Sequence, residues 1–150
     1  MNSRFSTALA TRLLRLPDVH GALLADFDHF PTLDLLHIRW HGHLTADALV
    51  QGAQAGLALF AGQPLPRRLL SNHSQVTGEW AEALPWLQYE WLPEVSERGV
   101  RVLAHVLAQS HSSHVVSYQG SQEFTVALRQ ALRAAAFRNL EPAWRWLARR

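Results

Sequence analysis

The segment VRVLAHVL, residues 100–107, constrains the fold of this chain more than any other stretch. It is almost continuously apolar, and Gly99 separates it from a preceding helical pattern. Such a short apolar run is typical of a strand that is buried on both faces, as in parallel sheets covered by helices. The sequence therefore predicts an α/β domain with this strand near the centre of its sheet.

An antiparallel hairpin is predicted ahead of that central strand. Residues 21–30 have the alternation of a half-buried strand, and the Pro31–Thr32 turn leads into a second strand at residues 34–40. One face of the second strand is apolar and is predicted to face the core; it carries Leu36, Ile38 and Trp40. The opposite face carries His37, Arg39 and His41.

A helix is predicted after residue 43. Thr45 is a suitable N-cap and Asp47 is favourably placed in the first turn, while Gly62 and Pro64 end the helix. Five small residues give this helix a narrow cross-section, namely Gly52, Ala53, Ala55, Gly56 and Ala58. We interpret this narrow surface as one that packs closely on the sheet.

Residues 67–72 form a third strand candidate, which a crossover must follow because the next strand begins near residue 100. The crossover contains a helical segment in which Pro85 suits the first turn and Pro93 predicts a kink or restart. Polar residues follow the third strand, namely Ser71, Asn72, His73, Ser74 and Thr77. We interpret them first as a turn and a helix cap, and alternatively as a ligand or switch loop.

The two ends of the chain are predicted to be helical. Phe5, Leu9 and Leu13 recur at helical spacing up to Pro17, which predicts an N-terminal helical extension over residues 1–20 and one domain over residues 21–150. Another helix starts at Ser121, and a final helix follows Asn139. Residues 132–137 are either the end of the first of these helices or a last strand, since the alanines favour helix by propensity alone.

Composition excludes several function classes. The chain of 150 residues has no cysteine, which rules out disulfides and thiolate chemistry and agrees with a reducing cytoplasm. All 14 basic residues are arginine, but they are scattered along the sequence and the net charge is only +2, so we expect no nucleic-acid binding. No stretch of about 18 apolar residues occurs, so no membrane-spanning helix is predicted.

Three stretches of this chain carry a family resemblance. They are LLHIRWHGHLT at residues 35–45, WLQYEWLPEVSERGVRVLAHV at residues 86–106 and FRNLEPAWRWL at residues 137–147. Together with the order of elements, they resemble the small bacterial STAS-like domains, the fold group of anti-sigma-factor antagonists and CRAL-TRIO lipid-transfer proteins. The resemblance implies a STAS-like α/β sandwich with a mostly parallel sheet of four to five strands, an initial antiparallel hairpin and helices packed on it.

The resemblance places a phosphorylation switch after the third strand in the antagonists. At that place this chain has Ser71, Asn72, His73 and Ser74, without the aspartate and glycine of the family signature. Ser71, Ser74 and Thr77 are still able to accept phosphate, and a second polar loop after residue 107 adds Ser110, His111 and His114 as ligand candidates.

No catalytic or cofactor motif is present in the sequence. There is no nucleophile elbow, glycine-rich phosphate loop or HExxH pattern, so we predict a protein that is not an enzyme and has no cofactor. His37, His41 and His43 are weak metal-ligand candidates, and His105 is interpreted as a core residue with satisfied hydrogen bonds. At least one of three tryptophans should be exposed as an interface anchor, and these are Trp80, Trp144 and Trp146.

The prediction is therefore a non-catalytic STAS-like regulatory or protein-interaction module of the bacterial cytoplasm that associates with a partner or with a second copy as a homodimer. The alternative is a protein that binds a small ligand or a lipid, or a hydrolase, at the loops after the third and fourth strands. A large apolar cavity would favour the ligand-binding alternative, whereas a filled core with an exposed tryptophan patch would favour association.

Overall fold

A computed structural model describes residues 9–109 and 121–150, without the side chain of Ser121. The described residues form six strands and four helices. The strands are β1 (Thr11–Pro17), β2 (Leu23–Phe30), β3 (Leu35–His43), β4 (Arg68–Thr77), β5 (Val102–Val106) and β6 (Arg133–Phe137). The helices are α1 (Ala46–Leu59), α2 (residues 84–97), α3 (Ser121–Ala131) and α4 (Leu140–Ala148). Short 3-10 turns cover Pro31–Leu33 and Ala81–Ala83.

The strands lie in one sheet in the order in which they occur along the chain. β1, β2 and β3 pair in antiparallel fashion, and β3, β4, β5 and β6 pair in parallel. The predicted class, an α/β sandwich with an initial antiparallel hairpin and a mostly parallel continuation, is therefore confirmed. The sheet has six strands instead of four to five.

The two faces of the sheet are covered unequally. Helices α1, α2 and α3 cover one face, which holds the larger apolar core, including the predicted trio on β3. Helix α4 covers the other face, where Ala143 and Leu147 pack on a smaller core. β5 contributes to both cores, with Leu103 on the larger side and Ala104 on the smaller side. Its nearly continuous apolar sequence follows from this double burial.

The N-terminal helix prediction is wrong for residues 11–17, which form the edge strand β1. The helical spacing rested on few residues, and pairing with β2 outweighs such a weak local preference. Ion pairs add to the pairing, because Arg12 contacts Asp28 at 2.5 Å and Arg15 contacts Asp26 at 3.0 Å. Residues 1–8, which include Phe5, lie outside the described residues.

The polar stretch after residue 70 belongs to a strand, so its interpretation as a turn and helix cap is wrong. β4 continues to Thr77 because both neighbouring strands supply hydrogen-bond partners. A β-bulge interrupts its pairing with β3 between Asn72 and Gln75. There the Asn72 side-chain oxygen accepts a hydrogen bond from the backbone N–H of Ser74 at 3.0 Å, which competes with the regular ladder.

The ambiguous residues 132–137 include a strand as well. β6 pairs in parallel with β5, so the hydrogen bonds of the sheet outweigh the helix propensity of three consecutive alanines. Helix α2 meets the expectation of a disturbance near Pro93. The segment Leu87–Trp91 is a π-helix in which the N–H of Leu92 bonds to the carbonyl of Leu87, and proline follows directly.

Helix α1 approaches the sheet as closely as its small residues suggest. Thr45 caps the helix by accepting a hydrogen bond from Ala48 N–H at 3.2 Å. A Cβ atom at Gly52 would lie 2.3 Å from the Trp40 ring, and one at Gly56 would lie 3.1 Å from the Phe27 ring. The absence of these two Cβ atoms therefore sets the spacing between helix and sheet.

Replacing Gly52 with alanine should destabilise the protein by about 1–3 kcal/mol, because the methyl group overlaps the Trp40 ring. In an exposed helix interior the same change stabilises by about 1 kcal/mol, so the sign of the effect is diagnostic. Urea unfolding of the wild type and of the Gly52→Ala and Gly56→Ala variants measures the free energy of unfolding. The Gly56→Ala variant should lose less stability than the Gly52→Ala variant. A more stable Gly52→Ala protein would contradict this account of the packing.

Candidate functional site

A cavity of about 210 Å³ lies between the sheet and the three helices that cover its larger core. Its wall is mostly apolar. β3, β4, β5 and β6 form the floor, and residues from α1, α2 and α3 form the roof. The alanines of β6, from Ala134 to Ala136, line it with small side chains and leave space that larger residues would fill.

Polar and aromatic groups gather on the wall of this cavity. The rings of His73 and His105 have centroids 4.5 Å apart, and Trp80 lies 5.2 Å from His73 and 6.3 Å from His105. Trp40 stands 5.7 Å from His73. The Ser71 hydroxyl oxygen lies 3.2 Å from both Trp40 Nε1 and His73 Nε2. We call these five residues the histidine cluster.

The pairing of the strands explains why the cluster forms. Ser71 of β4 lies directly beside His105 of β5, and the alternation of side chains along β4 places His73 on the same face as Ser71. The bulge follows immediately, so that Val76 instead of Gln75 returns to the apolar core. The bulge therefore ends the regular alternation next to His73.

Both cluster histidines are neutral at pH 7. Burial lowers the pKa of His73 well below its ordinary value, and the neighbouring His105 lowers it further. Burial likewise lowers the pKa of His105 to about 4. Protonation of either ring would place an uncompensated charge in an apolar environment. Each ring is thus a neutral group with one hydrogen-bond donor and one acceptor.

The cluster has unused hydrogen-bonding capacity. Trp40 Nε1 can only donate, so the Ser71 oxygen accepts from it and the Ser71 hydroxyl is free to donate to His73 Nε2. That assignment leaves the proton of His73 on Nδ1, a buried atom without a hydrogen-bond partner. His105 lines the cavity and makes no hydrogen bond within the described part of the chain. His105 thus lies in a core strand as expected, while the satisfaction of its hydrogen bonds stays a prediction.

The predicted loop residues do not share one site. Ser71 and His73 line the cavity, whereas Asn72 lies on the opposite face with its amide nitrogen 3.4 Å from His37 Nε2. Ser74 takes part in the bulge, and Thr77 is exposed at the end of β4. The second group of loop candidates lies outside the described residues, and its members are Ser110, His111 and His114.

The three weak metal candidates have separate environments. His37 is buried against the Trp144 ring at 5.7 Å, and burial lowers its pKa to about 4. The His41 Nε2 atom lies 3.1 Å from a carboxylate oxygen of the buried Asp26, and His43 lies beside Gly78. Within the described ranges no group of three histidine, aspartate or glutamate side chains is placed to hold a metal ion.

The three tryptophans predicted as interface candidates have separate environments. All three candidate tryptophans are partly buried. Trp80 lines the cavity, Trp144 packs edge-on against the Phe30 ring, and Trp146 packs against Phe137 and beneath the Arg150 guanidinium. None of the three is fully exposed, because α4 turns both of its tryptophans toward the sheet and its flanking residues, and their role as interface anchors stays a prediction.

Sequence patterns did not reveal the cavity or the pairing of His105 with His73. Each residue sits in a strand of ordinary appearance, 32 positions from the other. The available signal was His105 inside one predicted strand and His73 directly after the end of another, since we predicted the third strand only over residues 67–72. The spacing between helices and sheet, which creates the cavity, has no local signature.

Comparison with known proteins adds a likeness of fold. The chain is similar to the crystal structure of an uncharacterised DUF3478-family protein with a SpoIIAA-like fold from Shewanella loihica PV-4. The two share 14% identity over 94% of this chain and 97% of the other, with a TM-score of 0.47. No family model and no curated protein matches the chain.

Acid should destabilise the native protein through the cluster. Since the pKa of His105 is lowered only in the folded state, the unfolded chain takes up the proton first as pH falls below about 6.5. Between pH 7 and pH 5 this residue should account for a loss of up to about 2 kcal/mol. Urea unfolding at pH 7 and at pH 5 should show a smaller acid-induced loss of unfolding free energy for His105→Gln than for the wild type. Equal losses in the two proteins would mean that another group is responsible for the acid sensitivity.

Proposed function

We propose that this protein is a non-catalytic binding protein for a small, largely apolar ligand that carries one hydrogen-bonding group. The observation that supports this is the apolar cavity with two neutral histidines on its wall. Apolar pockets with a few converging polar groups are the usual form of small-molecule sites. An exposed tryptophan patch would instead have favoured the partner-binding role predicted from the family resemblance, and all three candidate tryptophans are partly buried.

The cavity volume limits the size of the ligand. An engineered apolar cavity of about 150 Å³ binds benzene, so a cavity of about 210 Å³ suits a molecule of roughly eight to ten non-hydrogen atoms. The surrounding wall consists of large side chains such as Trp91, Leu87 and Phe124, which make the interior apolar. A medium-chain alcohol or a small aromatic alcohol has suitable dimensions and polarity.

The neutral histidines favour an uncharged polar group. A hydroxyl both donates and accepts, which matches the unpartnered Nδ1 of His73 and the neighbouring neutral His105 ring. A carboxylate would have to lose its hydration in an apolar cavity without a cation supplied by the cluster. Among the described residues, Arg129 is the one charged residue on the cavity wall, and it is exposed to solvent, so its charge remains hydrated. We therefore expect an alcohol to bind more tightly than the carboxylate of the same chain length at neutral pH.

Titration of the protein with 1-octanol and with octanoate, followed by calorimetry at pH 8, tests this proposal. We expect saturable 1:1 binding of octanol and at least tenfold weaker binding of octanoate. The difference between the two affinities should be smaller at pH 6, because binding of the carboxylate can then be coupled to protonation of a histidine. Binding of neither compound would contradict the proposal.

A matched pair of variants on α1 locates the binding site. Ala53 is buried on the cavity wall, so Ala53→Leu fills part of the space and should weaken octanol binding by at least tenfold. Ala58 is exposed on the same helix and does not line the cavity, so Ala58→Leu should leave binding unchanged. Equal affinities of the two variants would place octanol at another site.

A further inference from the structure

A second concave surface carries five arginines, although the basic residues are scattered in the sequence. It lies at the edge of the sheet where β4, β5 and β6 begin. The remaining wall consists of uncharged residues. The five arginines, which we call the arginine patch, are Arg67, Arg101, Arg129, Arg133 and Arg150.

The sheet itself aligns three members of the patch. The backbone N–H of Arg101 bonds to the carbonyl of Arg67, and the N–H of Arg133 bonds to the carbonyl of Arg101, both at 2.9 Å. Neighbouring strands lie about 4.8 Å apart. Arg67 and Arg101 directly precede β4 and β5, and Arg133 begins β6 beside the first residue of β5, so the three arginines lie within one residue of a common level. All three side chains are exposed. Arg129 joins them from the last turn of α3, and Arg150 from the residues after α4.

Among the described residues, no ion pair joins an arginine of the patch to an aspartate or glutamate side chain. The arginine–carboxylate ion pairs of this part of the chain belong to Arg12, Arg15 and Arg98. Arg101 donates to the carbonyls of Ser96 and Val100, and both Arg67 and Arg68 donate to the main-chain oxygen of Arg150. These bonds orient the guanidinium groups. The Nε atom of Arg150 is buried without a hydrogen-bond partner.

We propose that the arginine patch binds a compact polyanion with two or more phosphate groups. Guanidinium groups form paired hydrogen bonds with phosphate oxygens, and several of them around one concavity match a ligand with several charges. Binding such an anion also relieves the mutual repulsion of five like charges.

The distribution of charge favours a compact ligand over nucleic acid. The chain has 14 arginines and 12 acidic residues, so removing the five patch arginines leaves 9 against 12, a net charge of −3 for the rest of the protein. A long polyanion that extends beyond the patch would meet this negative remainder, whereas a compact anion would not.

Calorimetric titration with inorganic tripolyphosphate at 50 mM NaCl tests the proposal. We expect 1:1 binding that weakens as NaCl is raised to 300 mM, because the contacts are ionic. The variant Arg101→Gln/Arg133→Gln should bind at least tenfold more weakly. Arg129 is kept intact because it also lines the apolar cavity. The variant Arg101→Lys/Arg133→Lys keeps the charge but loses the paired hydrogen bonds, so its affinity should be intermediate.

The matched control is Arg138→Gln/Arg145→Gln, which removes the same charge from exposed positions outside the patch. It should bind tripolyphosphate like wild type. The proposal would be overturned if both glutamine double variants, in the patch and outside it, lost the same affinity for tripolyphosphate. It would also be overturned if the wild type did not bind tripolyphosphate at 50 mM NaCl. If a short single-stranded oligonucleotide bound more tightly than tripolyphosphate and its binding required the patch arginines, the proposed ligand would be wrong and the patch would be a nucleic-acid site. Octanol binding should be the same in all these variants, which separates this test from that of the cavity.

Discussion

The hydrogen bond from Trp40 Nε1 to the Ser71 hydroxyl connects the packing of this protein to its candidate site. The indole ring occupies the space that a side chain at Gly52 would need, so it determines how closely α1 approaches the sheet. Its N–H occupies one acceptor position of Ser71 and thereby directs the Ser71 hydroxyl toward His73. A single buried side chain thus determines both the height of the helix above the sheet and the hydrogen bonding of the histidine cluster.

The cavity exists because large and small residues are segregated around it. Bulky aromatic and aliphatic side chains of α2 and α3 hold the roof away from the sheet, while the alanines of β6 contribute little volume to the floor. Empty space of this kind reduces stability because its lining atoms lose dispersion contacts. A ligand that fills the space would recover those contacts, so binding and folding favour the same arrangement.

Sequence patterns predicted the elements whose burial follows a simple period. The double-sided burial of β5, the apolar face of β3 and the cap of α1 were all evident locally. β1 and β6 were harder to predict from the sequence, because an edge strand is stabilised by the backbone of its neighbour while its own residues can favour a helix. The extension of β4 through Thr77 depends on two neighbouring strands in the same way. Long-range pairing outweighed local preference in each case.

The arginine patch shows why the chemistry of a site is harder to predict than the fold. Arg67, Arg101 and Arg133 are 34 and 32 positions apart, which is the length of a strand, its crossover and the return to the sheet. Parallel topology returns the chain to the same edge after each unit, so distant residues become neighbours there. The pairing of His73 with His105 arises in the same way, one side chain in each of two adjacent strands. Both sites thus depend on the register between strands, which a local motif does not encode.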